Sequence, residues 1–215
     1  MLGTAITVVA TKAPLGTQLA MRSDPVARIE FLEALARSET AWLVEYSFER
    51  TTGGGQVLSS SLTEARFGDV RVVSSAESLR VTVGRSVITC TRVDDQTKCL
   101  DGGGASKAPA VPSRAVYAAG IRSGAYVVTR AEDRHVAGER TRCYLLRSVL
   151  GVSVLGIGGE AEHCFTPDHI PMWSRVVREL ATDVRVAVHV DRRVTSTEIT
   201  TLLEPFDLDL AAIDR

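Results

Sequence analysis

Residues 42–49 read Trp-Leu-Val-Glu-Tyr-Ser-Phe-Glu. Trp42, Val44, Tyr46 and Phe48 fall on one side of a period of two, with Leu43, Glu45, Ser47 and Glu49 on the other. A helix, with 3.6 residues per turn, would scatter the two sets around its axis, whereas a strand sends them to opposite faces. The stretch is therefore a strand with one aromatic face. Upstream, Ser23-Asp24-Pro25 has the form of a helix start, a capping side chain followed by a proline whose missing N–H costs nothing in the first turn. Ile29, Leu32, Leu35 and Ala36 follow at helical spacing, so an amphipathic helix is expected over 26–38.

Downstream, Thr51-Thr52-Gly53-Gly54-Gly55 is a turn, and 57–67, 70–74, 79–83 and 87–93 read as short strands divided by Gly, Ser or Asp. That spacing is an antiparallel meander. A Gly-, Ala-, Ser- and Pro-rich loop at 101–112 leads to an Ala-rich helix over 113–121, and strands are expected again at 126–129, 141–149, 161–166, 172–178 and 183–191. In the last of these, Val184, Val186, Val188 and Val190 alternate with Arg185, Ala187 and His189. The pattern predicts buried valines with Arg185 and His189 in solvent. Phe206, Leu208 and Leu210, alternating with Asp207 and Asp209, suggest a terminal strand or a packed tail.

Composition agrees with β structure. Val 27, Ile 8 and Thr 20 make up a quarter of the 215 residues, and β-branched side chains suit a pleated surface. Twenty-five basic residues against 26 acidic ones, interspersed, give a net charge of −1 and no basic face for nucleic acid. With 45% hydrophobic residues the chain can bury a full core and is not disordered.

Four cysteines stand at 90, 99, 143 and 164, without a Cys-x-x-Cys pair. A turn at Asp94-Asp95 sets Val93 opposite Gln96 and brings Cys90 opposite Cys99 across a hairpin. Cys143 and Cys164 lie on two strands joined by the glycine-rich 150–159 loop, so the expected disulfides are Cys90–Cys99 and Cys143–Cys164. Disulfides point to an oxidising compartment. The first 22 residues read as a truncated export or anchor segment or a disordered N-terminus, and 23–215 as one domain.

No catalytic constellation emerges. Residues 152–161 resemble a strand entering G-x-G-x-x-A, but prolines at 167 and 171 interrupt what should be the following helix, so the glycines are a hairpin loop. Glu162, His163, Cys164, Asp168 and His169 cluster in sequence, yet on a strand His163 and Cys164 point to opposite faces, so no metal site is expected. Ser153 and Ser123 both miss the G-x-S-x-G spacing of a nucleophile elbow, and the histidines at 135, 163, 169 and 189 are tied to no nucleophile. An enzyme is not expected, nor a cofactor.

A helix leading into a W-x-V-x-Y-x-F strand, a run of antiparallel strands, a helical insertion, then a strand bearing Cys143-Tyr144 and another bearing Cys164-Phe165, resembles the actinobacterial extracytoplasmic proteins of the LolA and LppX/LprG lipoprotein-carrier-like family over about residues 25–210. The resemblance implies an α+β fold, a curved antiparallel half-barrel with helices on its concave side. It implies a cell-envelope location and an apolar cavity that shields an acyl chain, lipid or lipoprotein beside a membrane surface. Trp42, Val44, Tyr46 and Phe48 would form the cavity wall beneath the helix that carries Ile29 and Leu32. Two other readings compete: a membrane-anchored interaction domain with a filled core, and a hydrolase, for which no convergent Ser, His and acid are in sight. Side chains packed closely against the aromatic stripe would favour the interaction domain, and an open concavity the carrier.

Overall fold

The computed structural model describes residues 22–36, 41–84, 86–94, 96–101, 114–154 and 156–209. The expected N-terminal export segment, apart from Arg22, lies outside them, as do 102–112 and Leu210. Helix α1 (Pro25–Ala36) opens the domain and strands β1 (Trp42–Thr52), β2 (Val57–Phe67), β3 (Val70–Ser74), β4 (Ser78–Val83), β5 (Ser86–Val93) and β6 (Gln96–Asp101) follow. Helix α2 (Arg114–Arg122) then leads to β7 (Tyr126–Arg130), β8 (Arg134–Val136), β9 (Glu139–Ser148), β10 (Glu160–Phe165), β11 (Pro171–Val177) and β12 (Ala181–Asp191), and α3 (Ser196–Leu203) closes the order with a 3-10 turn at Glu204–Phe206. Among the described residues no helix is long and apolar enough to cross a membrane.

All the strands join one antiparallel open sheet in the order β6-β5-β4-β3-β2-β1-β12-β11-β10-β9-β7, with β8 paired to β9 alone. Two meanders thus meet at a single long-range pairing, β1 with β12. Directly opposed residues share a face, so the register sorts every side chain. One cluster joins Val73 of β3 to Met172 of β11, Ile170 of the β10–β11 turn and Val136 of β8. Strands so far apart in order touch because the sheet curls into a half-barrel, and the face they share is concave.

Helices α1 and α2 pack on that concave face over β7, β9, β10 and β11. Asp24 caps α1, its carboxylate accepting from the backbone N–H of Val26 at 2.9 Å and Ala27 at 3.3 Å. The buried stripe of α1 is Ala27, Phe31 and Ala34, at i, i+4 and i+7. This corrects the expected stripe: Ile29 is 54% exposed, and Leu32 and Leu35 lie at the margin of the core. Helix α3 covers the opposite, convex face, where Ile199, Leu203 and Phe206 meet Ala65, Val72, Leu79 and Val81. Of the two expectations for the tail, the packed tail holds and the strand does not: Phe206 is buried in the 3-10 turn and Leu208 packs against the same cluster. Glu198 accepts from the Thr195 N–H at 2.7 Å and starts the helix.

The face assignment of β12 is the reverse of the one expected. Asp183, Arg185 and Ala187 are buried, Val184 and Val186 are half-buried on the convex side, and Val188 is 60% exposed. A bulge is responsible in part: Ala187 opposes Tyr46 and His189 opposes Glu45, leaving Val188 without a partner. Beyond it Val190, opposite Val44, returns to the concave face, and His189 is exposed as expected. The other part is chemical. Burial of Arg185 and Asp183 is tolerated because both are ion-paired, a compensation invisible in the alternation itself.

Candidate functional site

The aromatic stripe of β1 is enclosed. Trp42, Val44, Tyr46 and Phe48 are all under 10% exposed and share a cluster with Leu62, Val73, Met172 and Ala187. The Tyr46 hydroxyl donates to the Pro171 carbonyl at 2.7 Å, tying the stripe to the start of β11, and the Arg185 guanidinium lies 5.2 Å from the Tyr46 ring centroid. Burial drives the Tyr46 phenol well above its ordinary pKa, and Glu64 adds to this.

Beside the stripe lies a buried charge cluster. Glu64 is fully buried; Arg71 donates to its Oε1 at 2.6 Å, and Arg185 to its Oε2 at 3.3 Å. Burial opposes charge on Glu64, yet the two guanidinium groups together hold its carboxyl below the usual carboxylate range. Asp183 is held low in the same way by Arg50 and Arg178, against the cost of burial. Neither group was singled out in the sequence. Glu64 sits in a strand of mixed small and polar residues, and the signal available, an acidic residue in phase with an apolar face, becomes legible only when its cross-strand partner Val44 is known.

Under α1 a second aromatic group gathers. Phe31, Tyr117, Tyr144, His163 and Phe165 lie with ring centroids 5.4–6.4 Å apart along their contacts. The Tyr117 hydroxyl and His163 Nε2 are hydrogen-bonded at 2.9 Å. Burial, with help from Arg185, pushes the His163 imidazole down to about 3, so it is neutral at physiological pH. A cleft of about 400 Å³ opens beside this group, reaching Tyr144 and Phe165 between Ala34 of α1 and the β10–β11 turn. Its rim is charged: Glu30 accepts from Arg130 at 3.3 Å, Arg142 at 3.2 Å and the Tyr144 hydroxyl at 3.3 Å. Outside the cleft lining, Arg192 ties the start of β9 to the β10–β11 turn, bidentate on Glu139 at 2.5 and 2.6 Å and on Asp168 at 2.8 and 3.3 Å.

The remaining candidates disperse. Cys164 is bonded to Cys143 and Cys90 to Cys99, the pairings expected from the hairpins. Glu162, which lies close to the first pair, therefore has no thiolate beside it to share a metal. His163 faces the concave side, Asp168 serves Arg192, and His169 takes a left-handed backbone (φ 68°) at the cleft. The 150–159 glycines close a loop instead of cradling a phosphate. A Cβ on Gly158 (φ 99°) would lie 2.7 Å from the Val177 carbonyl oxygen, so only glycine fits there. Of the expected wall, the four β1 residues are brought together and Leu32 packs beneath α1, but the cleft is lined by other side chains.

No protein-family model and no curated protein matches the chain. Among solved structures, the crystal structure of MucB superposes with a TM-score of 0.51 at 17% identity, covering 81% of this chain. In fold the chain is similar to MucB. It spans 62% of that MucB chain, under two thirds of its length, and at this identity the likeness establishes the fold alone. The Pseudomonas aeruginosa MucA/MucB complex matches at TM-score 0.44 and 15% identity over 78% of this chain and 57% of that one. A LolA superfamily protein from Nitrosomonas europaea matches at TM-score 0.38 and 8% identity, over 80% of this chain and 96% of that one.

Proposed function

We propose that the protein is an extracytoplasmic, non-catalytic binding protein that takes an acyl chain or similar apolar ligand beneath α1. The observation that carries this is the cleft beside α1, whose lining sets Ala34, Tyr144, Phe165 and Pro167 beside the charged Glu30, Glu33, Asp133, Arg140 and Arg142. Its volume is within the range of small-ligand sites, and burying apolar area there is worth ~25 cal/mol per Å². Helix α1 covers the sheet through Ala27, Phe31 and Ala34 and is tied to it by Glu30, so a ligand would enter beside the helix, along the cleft. Two disulfides support an oxidising compartment. The stripe of β1 is then the fixed back wall behind Arg185, and the ligand meets the α1 side first.

A second reading, protein recognition with a filled core, is favoured by the close packing of that stripe and by the ion-paired rim, which suits a polypeptide better than a hydrocarbon. MucB itself is solved in complex with MucA. Titration of a fluorescent long-chain fatty acid into the parent and into Glu33→Trp, whose side chain is exposed and lines the cleft, with a thermal melt of each, separates the two. Binding by the parent that falls at least tenfold in Glu33→Trp at an unchanged melting temperature supports the cleft. No binding by the parent puts protein recognition in front.

A further inference from the structure

We propose that the concave face of β2–β4 is an oxyanion site, in which Arg66, Arg71 and Arg80 take a phosphate group. It stands independently of the apolar-ligand reading. Arg66 opposes Trp42 on one side and Arg71 on the other, which places all three on the concave face. Arg80 opposes Val73, the neighbour of Glu64, and so lies on the same face one strand further out. Three guanidinium groups from three adjacent strands thus share one surface.

Their counter-charge is insufficient. Glu64 is the carboxylate within this group, and it is already divided between Arg71 and Arg185. Arg66 and Arg80 are half-buried and have no ion-pair partner among the described residues. Among the described residues, four arginines stand against one glutamate on this patch of sheet. Like charges directly opposed across strands, as Arg66 and Arg71 are, oppose folding. An arrangement that gains nothing within the fold is accounted for if an anion completes it.

A second observation points the same way. Thr89 opposes Arg80 on β5, is 5% exposed, and its Oγ1 is buried without a hydrogen-bond partner among the described residues. A polar group left over beside unpaired arginines is what an oxyanion with several acceptor oxygens would use. The chain favours arginine over lysine everywhere, 22 to 3, so residue type carries no weight here; placement does. A phosphate offers enough charge and enough oxygens for three forks, where a single carboxylate neutralises only one. The group could arrive on a soluble phosphate ester or on a phospholipid headgroup.

Calorimetric titration of the full chain with inorganic pyrophosphate, and sedimentation with phosphatidylglycerol vesicles against phosphatidylcholine vesicles, test both sources. Pyrophosphate binding that falls at least tenfold in Arg66→Gln and in Arg80→Gln, while each variant melts at or above the parent temperature, supports the site and a soluble ligand. The same loss seen only with phosphatidylglycerol supports the site and a lipid headgroup. Thr82→Glu places a carboxylate opposite Arg71; it should raise the melting temperature and abolish binding of either probe. A parent that binds neither probe, or Arg66→Gln and Arg80→Gln variants that bind like the parent, overturns the proposal.

Discussion

Strands β2–β5 and strands β7–β11 follow the same alternating patterns, yet the first set hides its convex face under α3 and the second its concave face under α1 and α2. Between them β1 and β12 change over, and the charged pairs are buried there: Glu64 with Arg185 across β2 and β12, Asp183 with Arg50 and Arg178. Alternation says which residues share a face. It does not say which face a helix will cover, because that depends on where the connections carry the chain.

The sharpest break of this comparison is at the changeover. Glu64→Ala strands a buried guanidinium and is expected to cost about 3–5 kcal/mol in denaturant titration, whereas Glu64→Leu combined with Arg185→Met should recover most of that loss. At the same strand pair, Val188→Asp should melt close to the parent because its side chain already faces water. If Val188→Asp unfolds the protein and Arg185→Asp does not, the face assignment is wrong.

A second comparison sets the two covers against each other. Phe206→Ala on the α3 side should cost about 3–4 kcal/mol, as for any large buried aromatic. Phe31→Ala should cost measurably less if α1 is the looser cover, and should enlarge the cleft enough to speed probe entry in stopped-flow mixing. Equal losses would make α1 as fixed as α3.

How much of this was legible can be argued residue by residue. Most strands are readable to within about three residues, because Gly, Ser and Asp punctuate them and β-branched residues fill them, but the short β8 carries no alternation to read and is missed. Cys90–Cys99 follows from hairpin register, and Cys143–Cys164 from two strands joined through the glycine-rich loop. Helix α1 was placed but turned, since Ile29 and Leu32 looked more apolar than Ala27 and Ala34. The helix needs small residues where it approaches the sheet, and hydrophobicity alone ranks alanine too low. The aromatic pair Tyr144 and Phe165 was visible as two motifs, Cys143-Tyr144 and Cys164-Phe165, but not as one place, for their juxtaposition with Phe31 is set by tertiary packing. Glu64 and Arg185 were hidden for the same reason, since each looks like a solvent residue until the other is opposite.

Acid should weaken the α1–α2 side through His163. Its folded pKa, about 3, lies below the unfolded value near 6.5, so the unfolded chain binds the extra proton between those limits. The neutral ring's contribution is complete above pH 6.5 and is lost as pH falls toward 3, by a few kcal/mol at most. His163→Gln, which keeps a partner for Tyr117, should flatten melting temperature against pH from 6.5 to 4. An unchanged slope would assign that acid sensitivity to the carboxylates. The smallest effect belongs to Arg192: it is half-exposed, so Arg192→Gln should cost no more than about 1 kcal/mol, and less in high salt.

The strand order also sets a timetable. Residues 42–101, which hold a complete meander, come before the other strands in the chain, with Ala65, Val72, Leu79 and Val81 in a row on one side. The helix that covers that row is made of residues 196–203, so it is synthesised after every strand of the sheet. The edge of β1 stays open almost as long, until β12 arrives. Until residues 181–203 have emerged the chain carries a bare apolar sheet face and an unpaired strand, which are the two features that draw unfinished chains into aggregation or onto a chaperone.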